Sequence, residues 1–182
     1  MTAKMAKVYI ALIHYPVYNK RKHIVATNIT GFDLHDIARA CATYGVERFF
    51  VVNPISAQLE FAGKIIDCWK SEKSYRHNWT RAKAFRKVKL AATLEEVLKK
   101  LKKPIVVATS AKAKGGASFK ALRSKMKKSK RPFLILLGTG WGMTNEVLDK
   151  ADICLERIKA KAEYNHLSVR SAAAIILDRL LS

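Results

Sequence analysis

The chain has 182 residues, 49% of them hydrophobic, and carries 35 Lys and Arg against 14 Asp and Glu, a formal net charge of +21. This length and apolar content predict a single folded domain over residues 1–182 and argue against overall disorder. A charge this large destabilises a compact chain unless a polyanion offsets it, and RNA, DNA or an anionic membrane would each do so.

Three cysteines lie far apart, at positions 41, 68 and 154, without CxxC or metal-type spacing. This pattern is typical of a reducing compartment, so we predict a cytoplasmic protein without a metal ion. Residues 1–7 lack the apolar core of a signal peptide, and the apolar run 133–137 is too short to span a bilayer, so no membrane association is expected.

Short β-branched runs alternate with helical patterns along the chain. Strands are predicted over residues 7–14, 46–52, 88–91, 104–109, 132–137 and 152–155. Helices are predicted over 33–44, 56–70, from 94 to before 104, 118–128, from 144 and over 167–181. Residues 15–31 read as a long basic connection and 71–80 as an irregular segment. The alternation predicts an α/β fold with a mainly parallel sheet and helices on both faces.

A glycine cluster, Gly138-Thr139-Gly140-Trp141-Gly142, directly follows the most apolar predicted strand. Glycine allows the backbone to approach a ligand closely, and α/β proteins bind ligands where parallel strands end. The cluster lacks the Gly-Lys-Ser/Thr of a phosphate-binding loop and the glycine spacing of a dinucleotide fingerprint. A tight turn without a ligand would also explain these glycines.

The segment 164–171 precedes the last predicted helix. Asn165 or Ser168 could cap that helix, and its free N–H groups would suit a carboxylate or a phosphate. Capping by itself needs no ligand, so both interpretations stay open.

Asp33, Asp36 and Arg39 share one face of the first predicted helix because they lie three residues apart. They would form either a surface ion pair of little energetic weight or an acid–base or phosphate-positioning site.

Cations cluster in three further segments. Lys20, Arg21 and Lys22 lie in the first long connection, Arg76 and Arg81 lie among aromatic residues in 70–89, and seven more cations lie in 120–131. Cations bind phosphates and aromatic faces stack on unpaired bases, although core packing would also explain the aromatic residues. The combination suits nucleic-acid binding.

Four blocks of this sequence resemble the SPOUT, or α/β-knot, RNA methyltransferases, and within them a small bacterial branch. They are ALIHYPVY (11–18), DLHDIARACATYGV (33–46), LLGTGWGM (136–143) and YNHLSVRSAAAIILDRL (164–180). The resemblance implies a C-terminal trefoil knot and an S-adenosylmethionine cofactor bound in a bent conformation. It also implies a tRNA or rRNA substrate and a homodimer whose active site draws on both subunits.

The resemblance further implies a cofactor site with three walls. The first wall is Thr109 and Ser110. The second is Gly138, Thr139, Gly140, Trp141 and Gly142. The third is Ile158, Asn165, Leu167 and Ser168.

The catalytic candidates are Arg39, which occupies the place of an arginine that assists the ribose 2′-hydroxyl in SpoU-type relatives, and Asp36. Arginine is too basic to accept a proton readily, so its expected role is to orient phosphate and hydroxyl. Asp33 replaces the usual asparagine, and Arg170 replaces a usual serine. The methyl acceptor is therefore either a ribose 2′-oxygen or a base nitrogen. The alternative is a catalytically silent RNA-binding or ribosome-associated protein on the same fold.

Overall fold

The computed structural model describes residues 5–182, and these contain eight strands and eight helices. The strands are β1 Val8–Ile13, β2 Val17–Tyr18, β3 Ile24–Val25, β4 Arg48–Val52, β5 Val88–Ala91, β6 Ile105–Ala108, β7 Phe133–Gly138 and β8 Ile153–Cys154. The helices are α1 Gly31–Thr43, α2 Ser56–Lys70, α3 Glu72–His77, α4 Trp79–Phe85, α5 Leu94–Leu101, α6 Phe119–Lys128, α7 Asn145–Leu148 and α8 Val169–Leu181.

Six strands form one parallel sheet in the order β5-β4-β1-β7-β6-β8, and β2 and β3 form a separate antiparallel hairpin. In the central register, Ile13 at the end of β1 lies opposite Val52 of β4 and Gly138 of β7. The carboxyl ends of these strands therefore reach the same edge of the sheet. The strands β1, β4 and β5 follow one another toward one side of the sheet, and β6, β7 and β8 lie on the other side of β1. Open α/β sheets form a ligand crevice where the strand order reverses in this way, at the carboxyl ends of the strands.

Helices cover both faces of the sheet, as the alternating sequence pattern predicts. Ile10 and Leu12 of β1 pack into a core with α1, α2, α4, α6 and α8. Ala11 and Ile13 point to the other face, where the core contains α5, α7 and Val17 of the hairpin. The α/β fold class with a mainly parallel sheet is confirmed. The trefoil knot and the single domain over residues 1–182 stay predictions.

Two segments differ from the sequence interpretation. The predicted irregular segment 71–80 contains α3 and the first two residues of α4. The Ser71 hydroxyl accepts a hydrogen bond from the Ser74 N–H, and the Asn78 side chain accepts one from the Arg81 N–H. These caps stabilise helices too short to show an amphipathic period. The predicted connection 15–31 contains the β2–β3 hairpin.

The first helix begins earlier than predicted. Thr30 is its N-cap, and Asp33 lies in the first helical turn, where its N–H donates to the Thr30 hydroxyl.

In the described part of the chain, no helix is long and apolar enough to cross a membrane.

Candidate functional site

A cavity of about 760 Å³ opens where β1, β6 and β7 end. Four chain segments contribute to its walls: 109–112, 137–142, 155–158 and 164–170. The remaining lining residues are His14, Thr27, Asn28, Asp33, Ala172 and Ile176. Its volume lies within the range of roughly 300–1,000 Å³ that is usual for small-molecule sites.

The glycine loop 138–142 is fixed by the hairpin beside it. The Trp141 N–H donates to the Tyr18 carbonyl at 2.8 Å, and the Tyr18 N–H donates to the Gly142 carbonyl at 2.8 Å. Gly140 has a φ of +56°, and a Cβ at this position would lie 2.9 Å from the Tyr18 oxygen. Only glycine fits this close approach, so at this position the cavity wall consists of backbone atoms.

A second wall forms at the end of β6. The Thr109 hydroxyl donates to the Leu136 carbonyl at 2.8 Å, which joins β6 to β7 below the glycine loop. The Lys112 ammonium donates to the Trp141 carbonyl at 3.0 Å and lies 5.4 Å from the centre of the Trp141 ring. Lys112 therefore holds the two walls together at the rim.

The segment before α8 forms the third wall. The Asn165 side chain donates to the Ile158 carbonyl at 3.1 Å. The Ser168 hydroxyl accepts from the Ser171 N–H, so Ser168 is the N-cap and Asn165 instead closes the 158–165 loop. The N-terminus of α8 thus opens beside the cavity.

A buried polar chain lies at the base of the cavity, and of its members the sequence interpretation included only Thr139. His14 follows β1 and is 1% exposed. Its Nδ1 lies 2.9 Å from the Thr27 hydroxyl, which lies 2.6 Å from the Thr139 hydroxyl. Burial lowers the pKa of His14 from 6.5 to about 4, against the opposing effects of Asp33 and the Thr27 backbone. The signal available in the sequence was a polar residue directly ending a buried strand.

The model of a family described as SAM-dependent RNA methyltransferase matches residues 7–182. The chain belongs to this family. Three relatives are similar over 96% of this methyltransferase. An uncharacterised protein of Aquifex aeolicus is 40% identical, with 88% of its length covered. The tRNA (guanine-N(1)-)-methyltransferases of Nitratidesulfovibrio vulgaris and Oleidesulfovibrio alaskensis are 40% and 37% identical. The methyltransferase spans 42% of the length of each of these two.

Solved structures share its fold. The AdoMet-bound rRNA methyltransferase of Sinorhizobium meliloti is 17% identical with a TM-score of 0.61, over 99% of this methyltransferase and 57% of that chain. The SpoU methyltransferase AviRb of Streptomyces viridochromogenes, in complex with AdoMet, is 13% identical with a TM-score of 0.61, over 98% and 58%. The family match over residues 7–182 confirms the predicted RNA methyltransferase family, the enzyme class and the S-adenosylmethionine cofactor.

All of the residues predicted for the cofactor site line this one cavity of the methyltransferase. They are Thr109, Ser110, Gly138, Thr139, Gly140, Trp141, Gly142, Ile158, Asn165, Leu167 and Ser168. They come from three segments that are far apart in the chain, and the fold brings them together. Their individual roles stay predictions.

The two predicted catalytic residues lie outside that lining. Arg39 is exposed on α1. Among the described residues, the ion pairs of Asp33 and Asp36 are with Arg170 and not with Arg39. Asp36 instead pairs with Arg170 of α8 at 3.3 Å, and Arg170 also lies 3.6 Å from Asp33. Arg170 and Asp33 both reach the cavity, so Asp36 contacts the site through Arg170.

The predicted RNA-binding residues lie in two places. Lys20, Arg21 and Lys22 are exposed at the tip of the β2–β3 hairpin. Arg76 pairs with Glu72 on the surface of α3, whereas Arg81 lies 4.8 Å from the centre of the Trp69 ring.

The aromatic residues of the same segment divide between core and surface. Phe85 is fully buried and stacks on Trp69 with 6.1 Å between ring centres, so core packing explains it. Tyr75 and Trp79 are 41% and 56% exposed, and each has a cation over its ring, Arg86 at 5.0 Å from Tyr75 and Lys83 at 5.9 Å from Trp79. In the described ranges, no group of three or more His, Cys, Asp or Glu side chains is arranged to hold a metal ion.

Proposed function

We propose that this methyltransferase binds S-adenosylmethionine in the cavity at the ends of β1, β6 and β7 and methylates a nucleotide of tRNA or rRNA. The observation that carries this proposal is the convergence of three distant segments, 109–110, 138–142 and 158–168, on one cavity.

The cavity suits the cofactor in both size and chemistry. The glycine loop offers backbone N–H and C=O groups that can reach an adenine, and Trp141 and Leu167 add apolar surface. The N-terminus of α8 and Arg170 favour a carboxylate. When bound, the cofactor supplies a methyl group already activated on a sulfonium, so the protein mainly has to align donor and acceptor.

The RNA we would test first is tRNA. Two relatives are named tRNA (guanine-N(1)-)-methyltransferases, but this chain spans only 42% of each. Because the remaining part of those relatives could carry the named activity, guanine N1 is one candidate acceptor beside other base nitrogens and the ribose 2′-oxygen.

We also propose a homodimer that completes the active site. Arg39 lies outside the cavity of its own chain, so a partner's cavity is where it would act. Phe32, next to Arg170 at 5.7 Å, is 73% exposed, and Tyr164 at the cavity rim is 76% exposed. Such exposed rings beside a polar site are typical of an interface. Sedimentation of the wild-type protein and of Phe32→Ser tests this: the variant should be a monomer if α1 forms the interface.

The proposed activity is tested by methyl transfer from radiolabelled S-adenosylmethionine to RNA. The substrates are tRNA and rRNA fractions from cells lacking the gene, and the control is the same fractions from cells that retain it. Label should enter only RNA from the deleted strain, because the target is already methylated in the control. Nucleoside mass spectrometry then separates ribose from base methylation. No transfer to either fraction, by a protein that binds the cofactor, would contradict the proposal and favour a silent RNA-binding role.

A further inference from the structure

The backbone around His14 holds its side chain in place at the end of the central strand. The His14 N–H donates to the Val52 carbonyl at 2.9 Å, and the His14 carbonyl accepts from the Thr27 N–H at 2.9 Å. The Asn53 side chain donates to the Thr27 carbonyl at 3.0 Å. Two strand ends and the hairpin segment thereby fix the imidazole at the base of the cavity.

The hydrogen bonds of this cluster determine which ring nitrogen carries the proton. The Thr139 hydroxyl donates to the Ile13 carbonyl at 2.9 Å, because a carbonyl can only accept. Thr139 Oγ1 must then accept from the Thr27 hydroxyl at 2.6 Å. With its own proton used, Thr27 Oγ1 accepts at 2.9 Å from His14, whose Nδ1 is therefore the protonated nitrogen.

His14 Nε2 consequently carries a free lone pair. This atom is buried and has no hydrogen-bond partner among the described residues, although His14 lines the cavity. A buried acceptor left unpaired is costly, and buried polar atoms are normally satisfied. Because burial holds the pKa of His14 near 4, the lone pair stays free at neutral pH. A ligand in the cavity that carries a hydrogen-bond donor would supply the missing partner.

We propose that His14 Nε2 accepts a hydrogen bond from the proton-bearing nitrogen or oxygen of the RNA that receives the methyl group. This inference rests on the proposed function. As the acceptor atom bonds to the methyl carbon, the carbon–sulfur bond breaks with its electron pair left on sulfur, and the acceptor's proton passes to Nε2. The positive charge leaves the sulfonium and appears on the imidazolium.

Asp33 stabilises that imidazolium. Its carboxylate lines the same cavity and acts on His14 by raising the pKa, against the effect of burial. The Thr27 hydroxyl contributes by holding Nδ1–H in place throughout. The arrangement of acceptor, orienting hydroxyl and carboxylate is that of a general base that starts neutral and ends charged.

His14→Asn tests the inference, because an asparagine amide can still donate to Thr27 while the Nε2 acceptor is removed. His77→Asn is the matched control, because it makes the same substitution at an exposed histidine that does not line the cavity. The measurements are cofactor affinity by calorimetry, and single-turnover transfer to RNA fractions from cells lacking the gene. We expect His14→Asn to bind the cofactor within about twofold of wild type and to transfer at least about 100-fold more slowly. His77→Asn should match wild type in both.

A second measurement does not depend on activity or on a variant. Nitrogen-15 NMR of the wild-type protein at neutral pH should show His14 Nδ1 protonated and Nε2 unprotonated, and a proton on Nε2 instead would overturn the inference.

Rescue of His14→Gly transfer by added imidazole would support the base role, since a merely structural loss is not restored by a free base.

The outcomes separate the two proposals. If wild type transfers methyl groups and His14→Asn does so within about threefold, the inference fails while the proposed function stands. If His14→Asn loses cofactor affinity as strongly as transfer, Nε2 faces the cofactor and the inference fails. If wild type binds the cofactor and transfers nothing to either RNA fraction, the proposed function itself fails.

Discussion

Arg170 at the start of α8 and Asp33 at the start of α1 lie side by side, with 3.6 Å between Nη1 and Oδ1. Asp33 is buried, and its other oxygen accepts from the Thr30 hydroxyl at 2.7 Å. Arg170 also reaches Asp36 at 3.3 Å and lies over Phe32. The pair therefore joins the last helix to the first at the rim of the cavity.

Removing this arginine leaves a buried carboxylate without its cation. We expect Arg170→Ala to lower the free energy of unfolding by about 1–3 kcal/mol, because the desolvated Asp33 loses a charged partner. Urea denaturation measures the change. Arg76→Ala is the matched control, since its pair with Glu72 is almost fully exposed and should contribute less than about 0.5 kcal/mol. Equal losses in the two variants would contradict the structural role of Arg170.

The sequence predicted what local patterns encode. Apolar runs and turn residues predicted the six sheet strands, the glycine loop and the Ser168 region. The strands are present in the sheet, and the glycine loop and Ser168 line the cavity. The Arg170–Asp33 pair joins residues far apart in the chain, so the residue spacing within a single helix cannot predict it. For the same reason Asp36 was expected to share a site with Arg39, whereas it pairs across helices.

His14 was missed for a different reason. One polar residue at the end of an apolar strand is unremarkable in a sequence, and its meaning comes from Thr27 and Thr139, which only the fold brings within hydrogen-bond distance.

Stability should depend on pH through His14. Burial lowers its folded-state pKa to about 4, while the unfolded chain protonates near 6.5. Between these values the unfolded state binds more protons, so stability rises with pH and is fully present above about 6.5. Lowering the pH from about 7 to about 4 should remove about 3 kcal/mol through this group alone. Denaturation across this range should give a flatter dependence for His14→Gln and an unchanged one for His23→Gln, whose side chain is exposed. Identical slopes for all three proteins would contradict the assignment.

The glycine loop should not tolerate a side chain at Gly140. Alanine there must adopt a positive φ and would place its Cβ 2.9 Å from the Tyr18 carbonyl oxygen, which is backbone and cannot rotate away. We expect Gly140→Ala to lose about 1–3 kcal/mol of stability and roughly tenfold or more in cofactor affinity, measured by thermal denaturation and calorimetry. Gly31→Ala, where nothing lies within 4 Å, should keep wild-type affinity. A Gly140→Ala protein with unchanged cofactor affinity would place the cofactor elsewhere.

The hairpin tip should contribute to RNA affinity through charge. Lys20 and Arg21 are exposed at the tip of the hairpin, just after Tyr18, which bonds to the glycine loop, so they lie near the cavity. In Lys20→Gln/Arg21→Gln, the plot of log affinity against log salt concentration should become less steep by roughly 1 to 2, as two phosphate contacts are lost. Lys99→Gln/Lys100→Gln is the control with the same change in charge, because α5 ends at the opposite edge of the sheet. If both double variants change the slope equally, the effect is net charge and not a contact at the hairpin.

Arg39 should affect transfer without affecting the cofactor, because it is exposed on α1 and does not line the cavity. We expect Arg39→Ala to bind S-adenosylmethionine within about twofold of wild type and to slow transfer to RNA by at least about tenfold, through poorer alignment of the acceptor. Calorimetry and single-turnover transfer measure the two effects separately. Arg48→Ala removes the same charge from an exposed position at the start of β4, at the opposite edge of the sheet, and should transfer normally. An Arg39→Ala protein that loses cofactor affinity in parallel with transfer would show that Arg39 acts on the cofactor and not on the RNA, and normal transfer would remove Arg39 from the site.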